Sequence, residues 1–240
     1  MNLACLLGVT ACAAQPSLPL GPGSSDPQQE LTARIQQQPE PAVLFVGNSY
    51  SFGVPKAFAQ LAAEQGRKLR VGHATYGGWT LERHAQNEAT LRKIRDGKWD
   101  LVVIQEQSEI PAWSPPRCAA AMFPPLRQLV TAAHQHGAIA LLYQTWGRRD
   151  GNPKVRHDDF HAMTARLRAG YHAAATNAGG LLVVPVGDAW ETEVTAGRGA
   201  ALFIEDGSHP TPRANRLTAA VFFRTIFRQG AGSLLFRDRQ

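Results

Sequence analysis

Ala42-Val43-Leu44-Phe45-Val46-Gly47-Asn48-Ser49 is an apolar run that stops at a glycine, an amide and a hydroxyl. No polar residue alternates through the run, so it reads as a parallel strand buried on both faces. Downstream, Val54, Ala57, Phe58, Leu61 and Ala62 recur at helical spacing, with Pro55 at an early helical position. The same alternation continues to the end of the chain. Residues 68–74 predict a second strand, 80–95 a helix, and Leu101-Val102-Val103-Ile104 a third strand. Leu126, Leu129, Val130 and Ala133 mark a helix expected to begin or kink at Pro124-Pro125. Residues 139–143 give a fourth strand. Phe160, Met163, Leu167, Tyr171 and Ala174 mark a helix, and 181–184 a fifth strand. Thr211 caps the last helix, with Pro212 at its first position. Strand–helix alternation predicts an α/β fold: a three-layer α/β/α sandwich around a five-stranded, mostly parallel sheet.

Ligands in such sheets bind beyond the carboxyl ends of the strands. Ser49 follows the first strand, Gly78 the second, and Gln105 and Gln107 the third. Asp206-Gly207-Ser208-His209-Pro210 precedes the last helix, with an acid three residues before a histidine. A hydroxyl, a base to take its proton and a carboxylate to orient the base make an activated nucleophile. Ser51 is a rival hydroxyl that reads better as a turn or cap residue. Glu106 and Glu109 read as exposed loop carboxylates. Trp79, Trp113, Trp146 and Trp190 all follow predicted strands. There they either stack on sugar rings or pack the bases of long loops.

These segments together resemble the SGNH (GDSL-type) hydrolases, over about residues 42–228. Gly47-Asn48-Ser49-Tyr50-Ser51 is similar to the family's first block, with Asn48 where Asp is usual. Ala74-Thr75-Tyr76-Gly77-Gly78-Trp79-Thr80 is similar to the second, where a glycine N–H helps bind the oxyanion. Residues 206–209 match the Asp-x-x-His of the last. The third block departs: Gln105-Glu106-Gln107-Ser108 stands where Gly-x-Asn is expected. The resemblance implies a flavodoxin-like fold and a serine esterase with Ser49, His209 and Asp206 as catalytic residues. It implies an oxyanion hole from Gly78 and an amide of Gln107 or Gln105; spacing does not choose between the glutamines, and Gln107 lies further beyond the strand end.

With 240 residues and 44% hydrophobic content the chain can build one sizeable core. The net charge is +6, the arginines near the end are spread along the last helix and tail rather than clustered, and no nucleic-acid-binding motif accompanies them, so no nucleic-acid partner is expected. Neither Cys-x-x-Cys nor His-Glu-x-x-His occurs, and no metal or cofactor is expected. Residues 1–12 read as a signal segment ending in Val9-Thr10-Ala11-Cys12, which resembles a bacterial lipobox with Cys12 as the lipidated residue. Simple secretory cleavage or a frayed apolar end are the alternatives, and Met1-Asn2 supplies no Lys or Arg for the positive n-region of a signal. The Pro-, Gln- and Ser-rich residues 13–41 read as a flexible tether in which Leu31-Thr32-Ala33-Arg34-Ile35 can form one helical turn, and 42–240 as the catalytic domain. The expectation is an exported, membrane-anchored esterase acting on small acyl groups, chiefly acetyl, of a carbohydrate or cell-envelope polymer. A short-chain lipase or thioesterase, or a binding module without turnover, is the alternative.

Overall fold

A computed structural model describes residues 26–228. Five strands, β1 (Ala42–Gly47), β2 (Arg70–Thr75), β3 (Leu101–Ile104), β4 (Ile139–Tyr143) and β5 (Leu182–Val184), form one sheet in the order β2-β1-β3-β4-β5. Every pairing is parallel. The interior strand β1, between β2 and β3, is buried along its whole length, as its apolar run requires. Side chains alternate across it. Val43 and Phe45 face a core built with α1 (Pro27–Gln36), α2 (Val54–Glu64), α7 (Val186–Thr195) and α8 (Pro212–Phe227). Leu44 and Val46 face a second core built with α3 (Leu81–Ala85), α4 (Glu88–Asp96), α5 (Pro115–Gln135) and α6 (Phe160–Asn177). The three-layer arrangement is the one expected.

Four local readings change. Residues 80–95 form two helices, because the Asn87 side chain accepts from the Thr90 N–H and starts α4 afresh. Helix α5 begins at Pro115 and runs through Pro124 and Pro125; its Leu126, Leu129 and Val130 are buried and hold it on the sheet. Helix α7 was not foreseen. The last part of the expected tether is also ordered: α1 buries Leu31 and Ile35, and its Gln28 side chain donates to the Thr225 carbonyl of α8. Asp26 caps α1 by accepting from the Gln28 N–H. The remainder of the tether, residues 13–25, the signal segment 1–12 and Cys12 lie outside the described residues.

Candidate active site

The turn after β1 is fixed by one buried amide. Gln105 Oε1 accepts from the Asn48 N–H at 3.0 Å and from Ser51 Oγ at 2.9 Å, and its Nε2 donates to the Glu106 carbonyl. A Cβ at residue 47 would lie 2.5 Å from that Gln105 oxygen, so glycine alone permits the approach. Ser51 is therefore buried and committed to Gln105. Asn48 Oδ1 accepts from the Tyr50 N–H at 3.2 Å, capping the short turn Ser49–Ser51. Ser49 is half-buried, and its Oγ lies 2.9 Å from His209 Nε2.

The histidine comes from a loop closed at its base by the Phe203–Pro210 bridge and by the Ile204 N–H donating to the His209 carbonyl at 3.0 Å. Asp206 Oδ1 accepts from the Ser208 and His209 N–H groups at 2.8 and 2.9 Å, folding the Asp-x-x-His segment into a tight turn. Its Oδ2 lies 2.5 Å from His209 Nδ1. The carboxylate accepts there, so Nδ1 carries the proton and Nε2 is left to accept from Ser49. Burial pushes the Asp206 carboxyl up, but bonds from the His209 N–H, the His209 ring and the Ser208 N–H outweigh it and hold it at about 2. Two aromatic residues brace the loop. Tyr50 Oη lies 2.5 Å from Ser208 Oγ, and Trp146 Nε1 donates to the Ser208 carbonyl at 3.1 Å.

Gly78 sits at φ +70° in the turn after β2, where the Trp79 N–H donates to the Tyr76 carbonyl. That conformation suits a type II turn and strains any residue with a Cβ. Three bonds flank the turn. The Tyr76 N–H donates to the Gly47 carbonyl at 3.1 Å, Asn48 Nδ2 to the Trp79 carbonyl at 3.3 Å, and the Leu81 N–H to Glu106 Oε1 at 3.0 Å. Asn48 Nδ2 also donates to the Glu106 carbonyl at 3.2 Å. An ionised Asp at 48 would have no donor for either carbonyl. Of the two glutamines, Gln105 is buried under the Ser49–Ser51 turn. Gln107 is half-buried, its Oε1 accepts from the Glu109 N–H at 2.7 Å, and its Nε2 has one long contact, 3.5 Å to Ser108 Oγ.

The two acids expected in exposed loops are both buried. Glu109 is paired with Arg148 at 2.6 Å and Lys154 at 3.1 Å. Glu106 is fully enclosed. The tryptophans divide as well. Trp146 and Trp190 are core residues, their rings stacked at 3.8 Å, and Tyr50 stacks on Trp146 at 4.7 Å. Trp113 lies under the Arg117 guanidinium, 3.8 Å away. Trp79 follows Gly78 directly and is stacked at 4.1 Å on Tyr76. Tyr76 and Phe52, 37% and 56% exposed, complete an aromatic group there that sequence reasoning missed. A Cβ on Gly77 would come within 3.9 Å of the Phe52 ring.

No protein-family model matches the chain, and no curated protein matches it in sequence. Solved structures do. The chain is similar to a DUF4886 family protein from Bacteroides uniformis at 21% identity and TM-score 0.70, over 79% of this chain and 84% of that one. It is similar to a lipase/acylhydrolase from Enterococcus faecalis at 17% identity and TM-score 0.58, over 78% and 96% of the two chains. It is also similar to an acetylxylan esterase from Geobacillus stearothermophilus at 18% identity and TM-score 0.58, over 78% and 94%. Likeness at such identity speaks for architecture, and in architecture the chain has the fold of the SGNH (GDSL-type) hydrolases.

Proposed function

We propose that the chain is a serine esterase that removes small acyl groups, chiefly acetyl, from a carbohydrate or cell-envelope polymer. The observation that carries this reading is the unbroken line Asp206 Oδ2–His209 Nδ1 and His209 Nε2–Ser49 Oγ, at 2.5 and 2.9 Å. His209 takes the Ser49 proton as Oγ attacks the ester carbonyl, and Asp206 stabilises the resulting imidazolium. Collapse of the tetrahedral intermediate expels the alcohol, which leaves with the proton from His209. Water, deprotonated by the same imidazole, then releases the acid and restores Ser49. The oxyanion is met by the N–H groups of Ser49 and Gly78 and by Gln107 Nε2, which has one long contact where Gln105 Nε2 is already engaged.

The carbohydrate part of the reading is supported by Phe52, Tyr76 and Trp79, aromatic faces on the two loops that carry Ser49 and Gly78. Export with lipidation at Cys12 rests on the lipobox-like Val9-Thr10-Ala11-Cys12. Hydrolysis of p-nitrophenyl acetate by the purified chain, lost in a folded Ser49→Ala variant, tests the activity. A panel of acyl lengths and acetylated oligosaccharides tests the substrate, and preference for longer acyl chains would move the assignment to a short-chain lipase or thioesterase. Incorporation of labelled fatty acid, abolished by Cys12→Ala, tests the anchor.

A further inference from the structure

Glu106 has no part in the proton transfers above, yet it is fully enclosed and stands between the two segments that supply oxyanion donors. One oxygen, Oε1, accepts from the Leu81 N–H at 3.0 Å and from the Gln107 N–H at 2.6 Å. Leu81 opens α3 three residues after Gly78, so its N–H is one of the donors a helix start leaves without an internal partner. The other oxygen, Oε2, is buried and has no hydrogen-bond partner among the described residues. The titratable groups that face Glu106 are Glu82 on α3, Cys118 on α5 and Tyr171 on α6. None of them carries positive charge.

We propose that Glu106, resting on the esterase reading above, is a positioning residue that works as the uncharged acid. Its Oε1 ties the Gly78 turn to the Gln107 segment and so sets the spacing of the oxyanion donors, while its unpartnered Oε2 carries the proton. A bare charge on Oε2 would have neither donor nor counter-ion, and it would oppose a second negative charge forming on the oxyanion nearby. Burial accordingly pushes the Glu106 carboxyl up to about 7, against the two N–H bonds that lower it.

Glu106→Gln keeps an acceptor oxygen and cannot ionise; Glu106→Ala removes the tie. On p-nitrophenyl acetate, the Ala variant should lose about 10²-fold in kcat with little change in KM, since a misplaced transition-state donor costs about that much. The Gln variant should recover most of the loss at pH 6, and its kcat should not decline above pH 7 as the wild type's does. Amide hydrogen exchange at Leu81 and Gln107 reads the anchoring without any substrate: protection should be kept in Gln and lost in Ala. An alkaline decline shared by wild type and the Gln variant would overturn the inference, as would unchanged exchange in a folded Ala variant. An inert wild-type chain would fail the esterase reading, and the exchange result would still decide this one.

Discussion

Two carboxyl groups at the same sheet edge have opposite surroundings. Asp206 is 44% exposed, and both of its oxygens accept hydrogen bonds, two from backbone N–H groups and one from an imidazole. Glu106 is fully buried; one of its oxygens accepts two N–H bonds and the other accepts none. The first is held ionised at about 2, the second near neutrality at about 7. Backbone donors are therefore not what separates them. The difference is desolvation, and a partner that gains from the negative charge in one place and not in the other. An ionised carboxylate can orient an imidazole and stabilise its cation, whereas a neutral acid can act as an acceptor without adding charge behind the proposed oxyanion site.

The sharpest way to break the comparison is to remove the group that uses the Asp206 charge. Ser49→Ala or His209→Ala should reduce ester hydrolysis by about 10⁴-fold or more, and Asp206→Asn by about 10²–10⁴-fold through the wrong imidazole tautomer. A fluorophosphonate probe should label Ser49 and not Ser51. Wild-type rates in His209→Ala would dissolve the distinction between a working and a supporting carboxyl.

Stability against pH sharpens it next, because the two acids have opposite signs. Glu106 is raised on folding, so its contribution is fully present below its ordinary value of 4.5 and is lost as pH rises through about 7. A shift of that size is worth about 3 kcal/mol at most. Asp206 is lowered from 3.8, so its contribution is present above 3.8 and is lost as pH falls through about 2. Thermal unfolding of the wild type should therefore weaken between pH 5 and pH 9. Glu106→Gln should flatten that decline and match the wild type at pH 5, while Asp206→Asn should leave the alkaline decline untouched.

A smaller effect separates the neighbours of Glu106. Gln107→Ala should lower kcat by about 10–10²-fold with KM nearly unchanged, somewhat less than loss of an ideal oxyanion donor. Gln105→Ala should act mainly through the melting temperature, because its amide oxygen holds the Asn48 N–H and Ser51 Oγ. The smallest effect lies at the exposed rim. Tyr76→Ala and Phe52→Ala should raise KM for acetylated oligosaccharides up to about tenfold, the scale of one stacking contact, and leave p-nitrophenyl acetate unchanged.

The contrast between the two acids also explains what the sequence could disclose. Asp206 and His209 are three residues apart and joined by their own turn, so their pairing is local and legible. The run from Ala42 to Val46 announces a buried strand by composition alone, and Thr211-Pro212 announces a helix start. Burial of Glu106 is not local: α3, α5 and α6 all close over it, and nothing within Gln105-Glu106-Gln107 distinguishes it from a solvated loop acid. Trp146 and Trp190 stay open between two readings for the same reason, and the packing one is theirs. They follow strands, but the partner that buries each ring is the other, from a different loop or helix. Helix α1 is legible only as one turn at Leu31–Ile35, since those two apolar residues are all it buries.

That short helix also gives the molecule a direction. Helix α8 starts beside His209 and, at 16 residues, runs about 24 Å to the opposite rim of the sheet. There Gln28 of α1 meets the Thr225 carbonyl, and Arg34 reaches the Gly137 carbonyl just ahead of β4. The backbone thus enters the described fold at one pole, while Ser49 opens at the other. Were the residues ahead of Asp26 fastened to a surface, the described fold would hang from the pole opposite Ser49, and the Ser49–His209 pair would lie at the end away from the attachment.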